Sequence, residues 1–183
     1  MGKIEFFQGR PKDSEGRLMK EIRVYDFLDS LHIDYFRSDH DPTSTMEECN
    51  RVGVILGCRI CKNLFLTNKQ HSEYYLLMMP GNKPFKTKEL SPQIHVSRLS
   101  FAEPEELASL LDTLPGSASV LSLINDKENR VQLLMDEDVT KGDYIGCHPC
   151  VNTSSLKIRT RDMMEKVLPA LSHKPKMVKL VGD

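Results

Sequence analysis

The sequence lacks most of the features that assign a function to a chain directly. It contains no tryptophan, and only 7% of its residues are aromatic. It has no Gly-rich phosphate-binding loop, no Gly-x-Ser-x-Gly hydrolase motif and no His-Glu-x-x-His metalloprotease motif. A function for this chain therefore has to come from a less common combination of residues.

Long apolar segments are also absent. No hydrophobic run approaches the roughly 20 residues that a membrane-spanning helix needs. Residues 1–17 are polar and mixed in charge, without the apolar segment of a secretory signal peptide. We therefore expect a cytoplasmic protein that does not bind membranes.

An excess of charge of one sign is missing as well. The chain has 25 Lys and Arg residues against 26 Asp and Glu residues, for a formal net charge of −1. Without a global positive field we expect no DNA binding, and any contact with RNA must use a local basic patch. The densest basic stretch, which could equally be a solvated helix face and a basic tail, contains Lys157, Arg159, Arg161, Lys166, Lys174, Lys176 and Lys179.

What is present indicates one α+β domain. A chain of 183 residues with 39% hydrophobic residues has the size and composition of a single domain over residues 1–183. We expect residues 1–16 to be a flexible or peripheral segment. Strand candidates are mostly joined by hairpin signals, which predicts a mixed, mostly antiparallel sheet or partly barrel-like core wrapped by helices.

The apolar periodicity and the turn signals give the elements of this domain. Leu18, Ile22, Tyr25 and Leu28 form one helical stripe, and Thr45 begins a capping box with Glu48. Helices are predicted over 16–32, from 45 to about 53, from 104 to 111 and from 160 to 168. Strands are predicted around 35–36 and over 63–66, 74–79, 120–124, 131–135, 144–147, 156–158 and 177–180.

Two Cys-x-x-Cys pairs raise the question of a metal. Cys58, Cys61, Cys147 and Cys150 could supply the four thiolates of a structural zinc site. Most of the domain separates the two pairs, and neither pair has a Gly-rich turn. We therefore favour reduced cysteines packed as small hydrophobic residues, and no bound metal or other cofactor.

Several short motifs, taken in order, resemble one known family. The chain is similar to the YbaK/prolyl-tRNA editing family along nearly all of residues 22–178, and most similar to its free-standing alanyl-tRNA(Pro) deacylases. The motifs are His40-Asp41-Pro42, Thr45-Met46-Glu47-Glu48, Lys62-Asn63-Leu64-Phe65-Leu66, Leu99-Ser100-Phe101-Ala102, Pro115-Gly116-Ser117-Ala118-Ser119, Leu123-Ile124-Asn125-Asp126 and Gly146-Cys147-His148-Pro149 with Asn152-Thr153.

The resemblance implies a mechanism and a set of site residues. It implies trans-editing, in which a metal-independent hydrolase removes a wrongly attached small amino acid, most simply alanine, from the acceptor end of tRNA(Pro). Lys62, Asn63 and His148 would be the catalytic residues. Lys62 suits a phosphate, Asn63 the terminal ribose or the attacking water, and His148 either proton transfer or substrate orientation. The substrate-binding residues would be Gly116, Ser117, Ala118, Ser119, Val120, His40, Thr45 and Pro149.

One departure from the family pattern lies in the loop after Gly116. The family has a proline four residues after this glycine, whereas this chain has Val120. Proline would fix its own backbone and restrict Ser119, so its absence predicts a loop free to take another shape. The amino acid that is removed is therefore open.

Two other functions remain compatible with the sequence. The chain could be a catalytically silent module that binds aminoacyl-tRNA or other RNA, with or without a structural zinc, or a regulatory factor that senses charged tRNA. Prolyl-tRNA synthetase is a possible protein partner in the editing interpretation.

Overall fold

The computed structural model describes residues 4–182, and in this range the strands form two sheets. The first sheet is antiparallel throughout, in the order β1-β2-β8-β7. Its strands are β1 (Glu5–Gln8), β2 (Tyr35–Asp39), β7 (Tyr144–Cys147) and β8 (Ser154–Arg159).

The second sheet is mixed, in the order β5-β3-β4-β6-β9. Its central hairpin, β3–β4, is the antiparallel pair that the polar turn in the sequence predicts, and β5 also runs antiparallel to β3. The pairs β4–β6 and β6–β9 are parallel. The strands are β3 (Cys61–Asn68), β4 (Tyr74–Pro80), β5 (Leu99–Phe101), β6 (Val131–Asp136) and β9 (Lys176–Val178).

Helices cover both sheets and confirm the α+β class. They are α1 (Met19–Ser30), α2 (Met46–Leu56), α3 (Thr87–Ile94) and α4 (Pro104–Leu111). The predicted capping box at Thr45 is confirmed, since its side chain accepts from the Glu48 amide and the Glu48 side chain accepts from the Thr45 amide. Helix α2 continues to Leu56, three residues beyond the predicted end at Gly53, because left-handed Gly57 (φ 66°) ends it.

The C-terminal helix contains a wide turn. It starts as α5 (Thr160–Asp162), continues as a π-helical turn (Met163–Val167) and ends as α6 (Leu168–Ala170). Pro169 has no amide hydrogen to donate to the carbonyl four residues earlier, so the regular α pattern is interrupted beside it.

The sequence-based strand over 120–124 is wrong. Val120–Asn125 form a 3₁₀ helix whose N-cap is Ser119, and a second 3₁₀ helix covers Glu137–Lys141. Besides this second 3₁₀ helix, three elements carry no prediction: β1, α3 and β5. Strand β1 has a largely exposed pattern, α3 contains Pro92, and β5 has only three residues, so none gives a strong periodic signal.

The central hydrophobic core joins the two sheets. Tyr35, Leu156 and Ile158 from the first sheet pack in one buried cluster with Leu76 and Met78 from the second. A second cluster lies between the mixed sheet and α3, and a third lies between the first sheet and α2. Of the two arrangements expected, a mostly antiparallel sheet or a partly barrel-like core, the described residues show the first: two mostly antiparallel sheets that share a core, without a closed barrel.

A single backbone bridge connects the edges of the two sheets. Ile60, just before β3, pairs with Gly146 of β7, and the Gly146 amide donates to the Arg59 carbonyl at 3.0 Å. Glycine is required there, since a Cβ atom on residue 146 would lie 2.7 Å from the Arg59 oxygen.

The N-terminal segment is only partly described. Glu5–Gln8 form the edge strand β1, while residues 1–3 of the segment expected to be flexible or peripheral, and residue 183, lie outside the described range. No helix within residues 4–182 is both long and apolar enough to cross a membrane.

Candidate functional site

The candidate site is centred on an open stretch of the β3 edge. Strand β4 occupies one edge of β3 from Cys61 to Thr67. On the other edge, β5 pairs only with Leu66–Asn68, and the bridge at Ile60 lies before the strand. The Ala102 amide, just after β5, donates to the Phe65 carbonyl at 3.0 Å. Residues 61–64 therefore border a gap between β5 and β7, and Lys62 and Asn63 lie in this gap.

Lys62 and Asn63 point to opposite faces of the mixed sheet, because side chains alternate along a strand. Cys61 and Phe65, which share the face of Asn63, belong to the central core. Leu64 and Leu66, which share the face of Lys62, pack in the cluster under α3. The two residues could therefore contact one substrate only if it crosses the edge of β3.

Asn63 offers an unused hydrogen-bond acceptor. Its side-chain oxygen Oδ1 is buried and accepts no hydrogen bond from any residue of the described chain. Buried polar atoms are nearly always paired in native proteins, and an exception often marks a functional site. Asn63 can thus receive a donor from a bound molecule.

Lys62 is half-buried, and its ammonium donates to the backbone carbonyl of Lys83. Burial lowers the pKa of Lys62 from its usual value, since it disfavours the charged form. The Lys62 side chain also lines an open groove on its face of the sheet. This location suits a contact with an anion.

The loop after α4 has a defined structure despite the missing proline. Gly116 is exposed with φ 85°, Ser117 is buried and Ala118 is half-buried. Ser119 caps the 3₁₀ helix: its hydroxyl accepts from the Leu121 amide at 3.2 Å, and its own amide donates to Ser122 Oγ at 3.2 Å. The loop that the sequence left free is therefore held by a serine capping box.

Val120 faces the interior and not an open pocket. Its side chain is fully buried in the central core at the first position of the 3₁₀ helix. Val120, one of the predicted substrate-binding residues, therefore packs behind the loop and contributes to the core.

The structure brings this loop to the β3 gap through Cys147. Cys147 at the end of β7 is buried in the same core cluster as Cys61 at the start of β3 and Val120, which directly follows Ser119. Burial raises the pKa of the Cys147 thiol, Cys61 raises it further, and Ser119 lowers it. The loop, the end of β7 and the Asn63 face of β3 therefore adjoin one another.

His148 lies on the other side of β7, under α2. Only 6% of its surface is exposed, and its Nδ1 lies 2.9 Å from the Ser154 carbonyl, which requires a proton on Nδ1. Its Nε2 is then an acceptor, 4.0 Å from Cys49 Sγ. Burial, opposed by the hydrogen bond to the Ser154 carbonyl and assisted by the nearby His40, lowers the pKa of His148 to about 4. His148 is therefore neutral at physiological pH.

Two of the remaining predicted residues, His40 and Pro149, lie beside His148 and not beside Lys62. The His40 ring centroid is 6.3 Å from that of His148, and His40 Nε2 lies 2.9 Å from Ser155 Oγ. Pro149 is buried directly after His148. Thr45 uses its hydroxyl to cap α2. The structure thus separates the predicted residues into two groups. One lies at the β3 gap and the other between β7 and α2. The consecutive residues Cys147 and His148 connect the two groups.

The four paired cysteines do not form a metal site. No group of three or more His, Cys, Asp or Glu side chains among residues 4–182 could hold a metal ion, which counts against the zinc alternative. Burial raises the pKa of Cys61 to about 12 and that of Cys58 and Cys150 to about 11. Without a bound cation these thiols stay protonated at neutral pH, which makes them poor nucleophiles.

Other residues near the site were missed in the sequence. Cys49 and Ser155 contact His148, and Lys83 holds Lys62. The segment from Lys83 to Lys88 alternates basic residues with Phe85, a pattern typical of RNA contacts that the sequence could have indicated. The basic residues of the last quarter are partly neutralised instead: Arg161 pairs with Glu165, and Lys166 with Asp162.

Comparison with known proteins gives the class and the family. Residues 40–166 match the aminoacyl-tRNA editing domain family. The chain is 28% identical over 153 residues to the prolyl-tRNA editing protein ProX of Acetoanaerobium sticklandii, covering 84% of this chain and 93% of that protein. It is 29% identical over 160 residues to prolyl-tRNA synthetase associated domain-containing protein 1 of Danio rerio, covering 86% and 85%.

Solved structures share the fold. One, described as a proposed trans-editing enzyme for prolyl tRNA synthetase, superposes with a TM-score of 0.66 at 14% identity, covering 89% of this chain and 98% of that one. Another, hypothetical protein APE2540, gives a TM-score of 0.65 over 86% and 98%. The match to the aminoacyl-tRNA editing domain and the similarity to ProX give the class, which is that of aminoacyl-tRNA deacylases, a group of ester hydrolases. The chain belongs to the aminoacyl-tRNA editing domain family, as the sequence motifs indicated.

Proposed function

We propose that this protein is a free-standing editing enzyme that removes alanine from mischarged tRNA(Pro). The names of ProX and of the Danio rerio relative support the link to prolyl-tRNA. The observation that carries the proposal is the unpaired, buried acceptor of Asn63 beside the capped loop, with Lys62 on the opposite face of the same strand edge. Prolyl-tRNA synthetase, which would produce the mischarged tRNA, is the proposed partner.

A substrate that crosses the β3 gap would use both residues. A phosphate near the tRNA end would meet the Lys62 ammonium on one face, which positions the substrate without reading sequence. On the other face, Asn63 Oδ1 would accept a hydrogen bond from the terminal ribose, from the amino group of alanine or from the attacking water. The scissile ester would then lie in the gap itself.

The proposed reaction is ester hydrolysis by water. The water oxygen bonds to the ester carbon, the bond from that carbon to the ribose oxygen breaks, and the ribose oxygen takes up a proton. The products are free alanine and intact tRNA. Neutral His148, whose Nδ1 hydrogen is engaged by the Ser154 carbonyl, would fix the chain after β7 and thereby the Cys147–Ser119 contact.

The capped loop would select the amino acid by size. One missing methylene changes binding by only about 1–3 kcal/mol, so a synthetase pocket built for proline rejects alanine poorly. A rigid second pocket formed by Gly116–Ser119 would admit alanine and exclude proline. Because Val120 is buried behind it, the loop would keep its shape without the family's proline.

A deacylation panel tests the proposal. Purified protein is mixed with tRNA(Pro) charged with alanine, serine, cysteine or proline, and the loss of each ester is followed. We expect alanyl-tRNA(Pro) to be hydrolysed fastest and prolyl-tRNA(Pro) to be spared. Lys62→Ala should remain folded and lose most of the activity, whereas Lys69→Ala, an exposed lysine in the β3–β4 turn, should not. No hydrolysis of any ester, with tRNA binding retained, would favour the silent binding module instead.

A further inference from the structure

A groove of about 550 Å³ lies on the Lys62 face of the mixed sheet. It is open to solvent and combines three lysines with two aromatic rings. The residues that line it are Lys62, Leu64, Phe85, Lys86, Thr87, Lys88 and Phe101.

The strand register explains why these groups meet. Phe101 of β5 lies opposite Leu66 of β3, so its side chain is on the same face as Leu66, Leu64 and Lys62. Phe101 is 59% exposed, so most of its apolar ring is in contact with water. It packs against Phe85 edge to face, with ring centroids 6.2 Å apart. The two rings therefore form a surface that solvent can reach beside Lys62.

The charge of the groove is positive although the whole chain is nearly neutral. No acidic side chain is among the described residues that line it. Glu89, on the next position of α3, accepts from the amides of Val181 at 2.8 Å and Gly182 at 3.2 Å, and its charge also acts on Lys86 and Lys88. Neither of these lysines forms an ion pair among the described residues, and Lys62 donates to a neutral backbone carbonyl. The three ammonium groups can therefore act on an anionic ligand.

The wall that carries Phe85 and Lys86 is anchored. The Lys83 ammonium donates to Asp136 Oδ2, Asp138 Oδ2 and the Leu180 carbonyl, each at 2.7 Å. Asp136 is almost fully buried. A groove fixed in this way needs little ordering when a ligand binds, which lowers the entropic cost of binding.

We infer that this groove binds the unpaired nucleotides at the 3′ end of the substrate tRNA. Stacked bases need an exposed aromatic surface, and their phosphates need nearby cations; Phe85 with Phe101 and the three lysines supply both. The groove begins at Lys62. RNA bound along it would therefore reach the β3 gap with its 3′ end. The inference rests on the proposed function, since it assigns the nucleotide part of the same substrate.

The experiment separates ring stacking from simple apolar burial. Steady-state deacylation of alanyl-tRNA(Pro) is measured for Phe101→Ala, Phe101→Leu, Phe101→Trp and Lys88→Ala, with Phe6→Ala and Lys69→Ala as controls at an exposed phenylalanine and an exposed lysine elsewhere. Binding of a fluorescent single-stranded oligoribonucleotide with the tRNA 3′-end sequence is measured in parallel. Phe101 and Lys88 are exposed, so all variants should fold.

The expected result is a rise in KM with an unchanged kcat. Phe101→Ala and Phe101→Leu should raise KM and the oligoribonucleotide Kd by about tenfold, the value of a lost base–aromatic stack. Phe101→Trp should keep wild-type values, and Lys88→Ala should weaken both by a few fold.

Wild-type KM and Kd in both Phe101→Ala and Lys88→Ala would overturn the inference while leaving the proposed function intact. If Phe101→Ala instead loses only its association with prolyl-tRNA synthetase, the surface binds a protein and the inference is wrong. Oligoribonucleotide binding that depends on Phe101 and Lys88 would uphold the groove even in a protein that hydrolyses no ester, in which case only the proposed function fails.

Discussion

At the scale of single residues, two glycines of one segment show how differently the same residue type is used. A Cβ atom added to Gly142 would have only the Tyr144 carbonyl oxygen within 4 Å. That oxygen would lie 3.5 Å away, which is an ordinary van der Waals contact. For Gly146 the Ile60 Cδ1 atom would lie at 2.6 Å and the Arg59 oxygen at 2.7 Å. Only Gly146 is therefore required by close approach of another chain segment.

Gly146→Ala should destabilise the protein by about 1–3 kcal/mol, the usual cost of overpacking. Gly142→Ala is the matched control, because its φ of −93° suits alanine, and its effect should stay within about 0.5 kcal/mol of zero. Urea unfolding of both variants gives the free energies. Equal stability of the two variants would mean that the sheet edges separate easily at this bridge.

His148 gives a pH dependence whose sign is fixed by burial. An unfolded chain protonates this histidine near its usual pKa of about 6.5, whereas the folded protein does so only near pH 4. Between these values the unfolded state binds more protons, so the free energy of unfolding falls as the pH drops from about 6.5 to about 4. Below pH 4 this group contributes no further change.

His148→Asn tests this dependence. The side-chain amide of the introduced asparagine can still donate to the Ser154 carbonyl, but it does not titrate. Urea unfolding at several pH values should show a smaller loss of stability between pH 6.5 and 4 for the variant than for the wild type. Parallel curves would indicate that His148 is protonated in the folded state, contrary to the neutral tautomer described above.

At the scale of elements, the segment after Gly116 shows where sequence patterns fail. Val120, Leu121, Leu123 and Ile124 have the composition of a buried strand, yet they form a 3₁₀ helix. The deciding signal was Ser119, whose cap with Ser122 satisfies backbone amides that a strand would have paired elsewhere. Two serines three residues apart favour a helix start, which competes with the β propensity of the residues between and after them. The pair is recognised in the sequence only if position 119 is tested as an N-cap.

Ser122→Ala should loosen this element. It leaves the buried Ser119 amide without its acceptor, at a cost of about 1–3 kcal/mol, and should change the ratio of alanyl- to prolyl-tRNA(Pro) deacylation rates by several fold. Val120→Pro should leave the ratio of alanyl- to prolyl-tRNA(Pro) deacylation rates within about twofold of the wild-type ratio, because proline is tolerated at the first helical position.

This ratio, measured for both variants, decides whether the loop forms the amino-acid pocket. If Ser122→Ala leaves the ratio unchanged, Gly116–Ser119 do not select the substrate.

Elements with strong local signals were predicted well, and those fixed by tertiary contacts were not. The capping box of α2, Pro104 at the start of α4 and the β3–β4 hairpin follow from local rules and are confirmed. Strand β5 is stabilised by its pairing with Leu66–Asn68. Helix α3 is stabilised by the apolar cluster that it forms with the mixed sheet. Such elements depend on residues distant in sequence, which no local pattern contains.

At the scale of the whole molecule, the same limit applies to the site. The motifs singled out Lys62 and Asn63 as candidates, but what each of them faces depends on the position of β3 between β4 and the gap. The separation of His148 from Lys62 likewise depends on the packing of α2 over the first sheet. The order of the motifs supplied the candidate residues, whereas the way the fold groups these candidates could not be predicted from the sequence.

The near-neutral charge of the molecule makes its salt dependence a test of local recognition. If three groove lysines neutralise phosphates, log Kd for the 3′-end oligoribonucleotide should rise with log salt at a slope of about 2, since each contact on a single strand contributes roughly 0.7. Lys88→Ala should lower the slope by about 0.7. Fluorescence titrations across a range of KCl concentrations measure it, and affinity that does not change with salt would argue against phosphate contacts.

The bridge between Ile60 and Gly146 also has a consequence for the divergence of this family. Where the bridge is kept, a mutation that adds a side chain at position 146 collides with both the side chain and the backbone of the opposite segment. A smaller residue at position 60 relieves only the first collision, and the Arg59 carbonyl relieves the second only by moving. Lineages that retain this contact should therefore keep glycine at position 146 while position 60 varies, and lineages that lose the glycine should have let the two sheets separate at this edge.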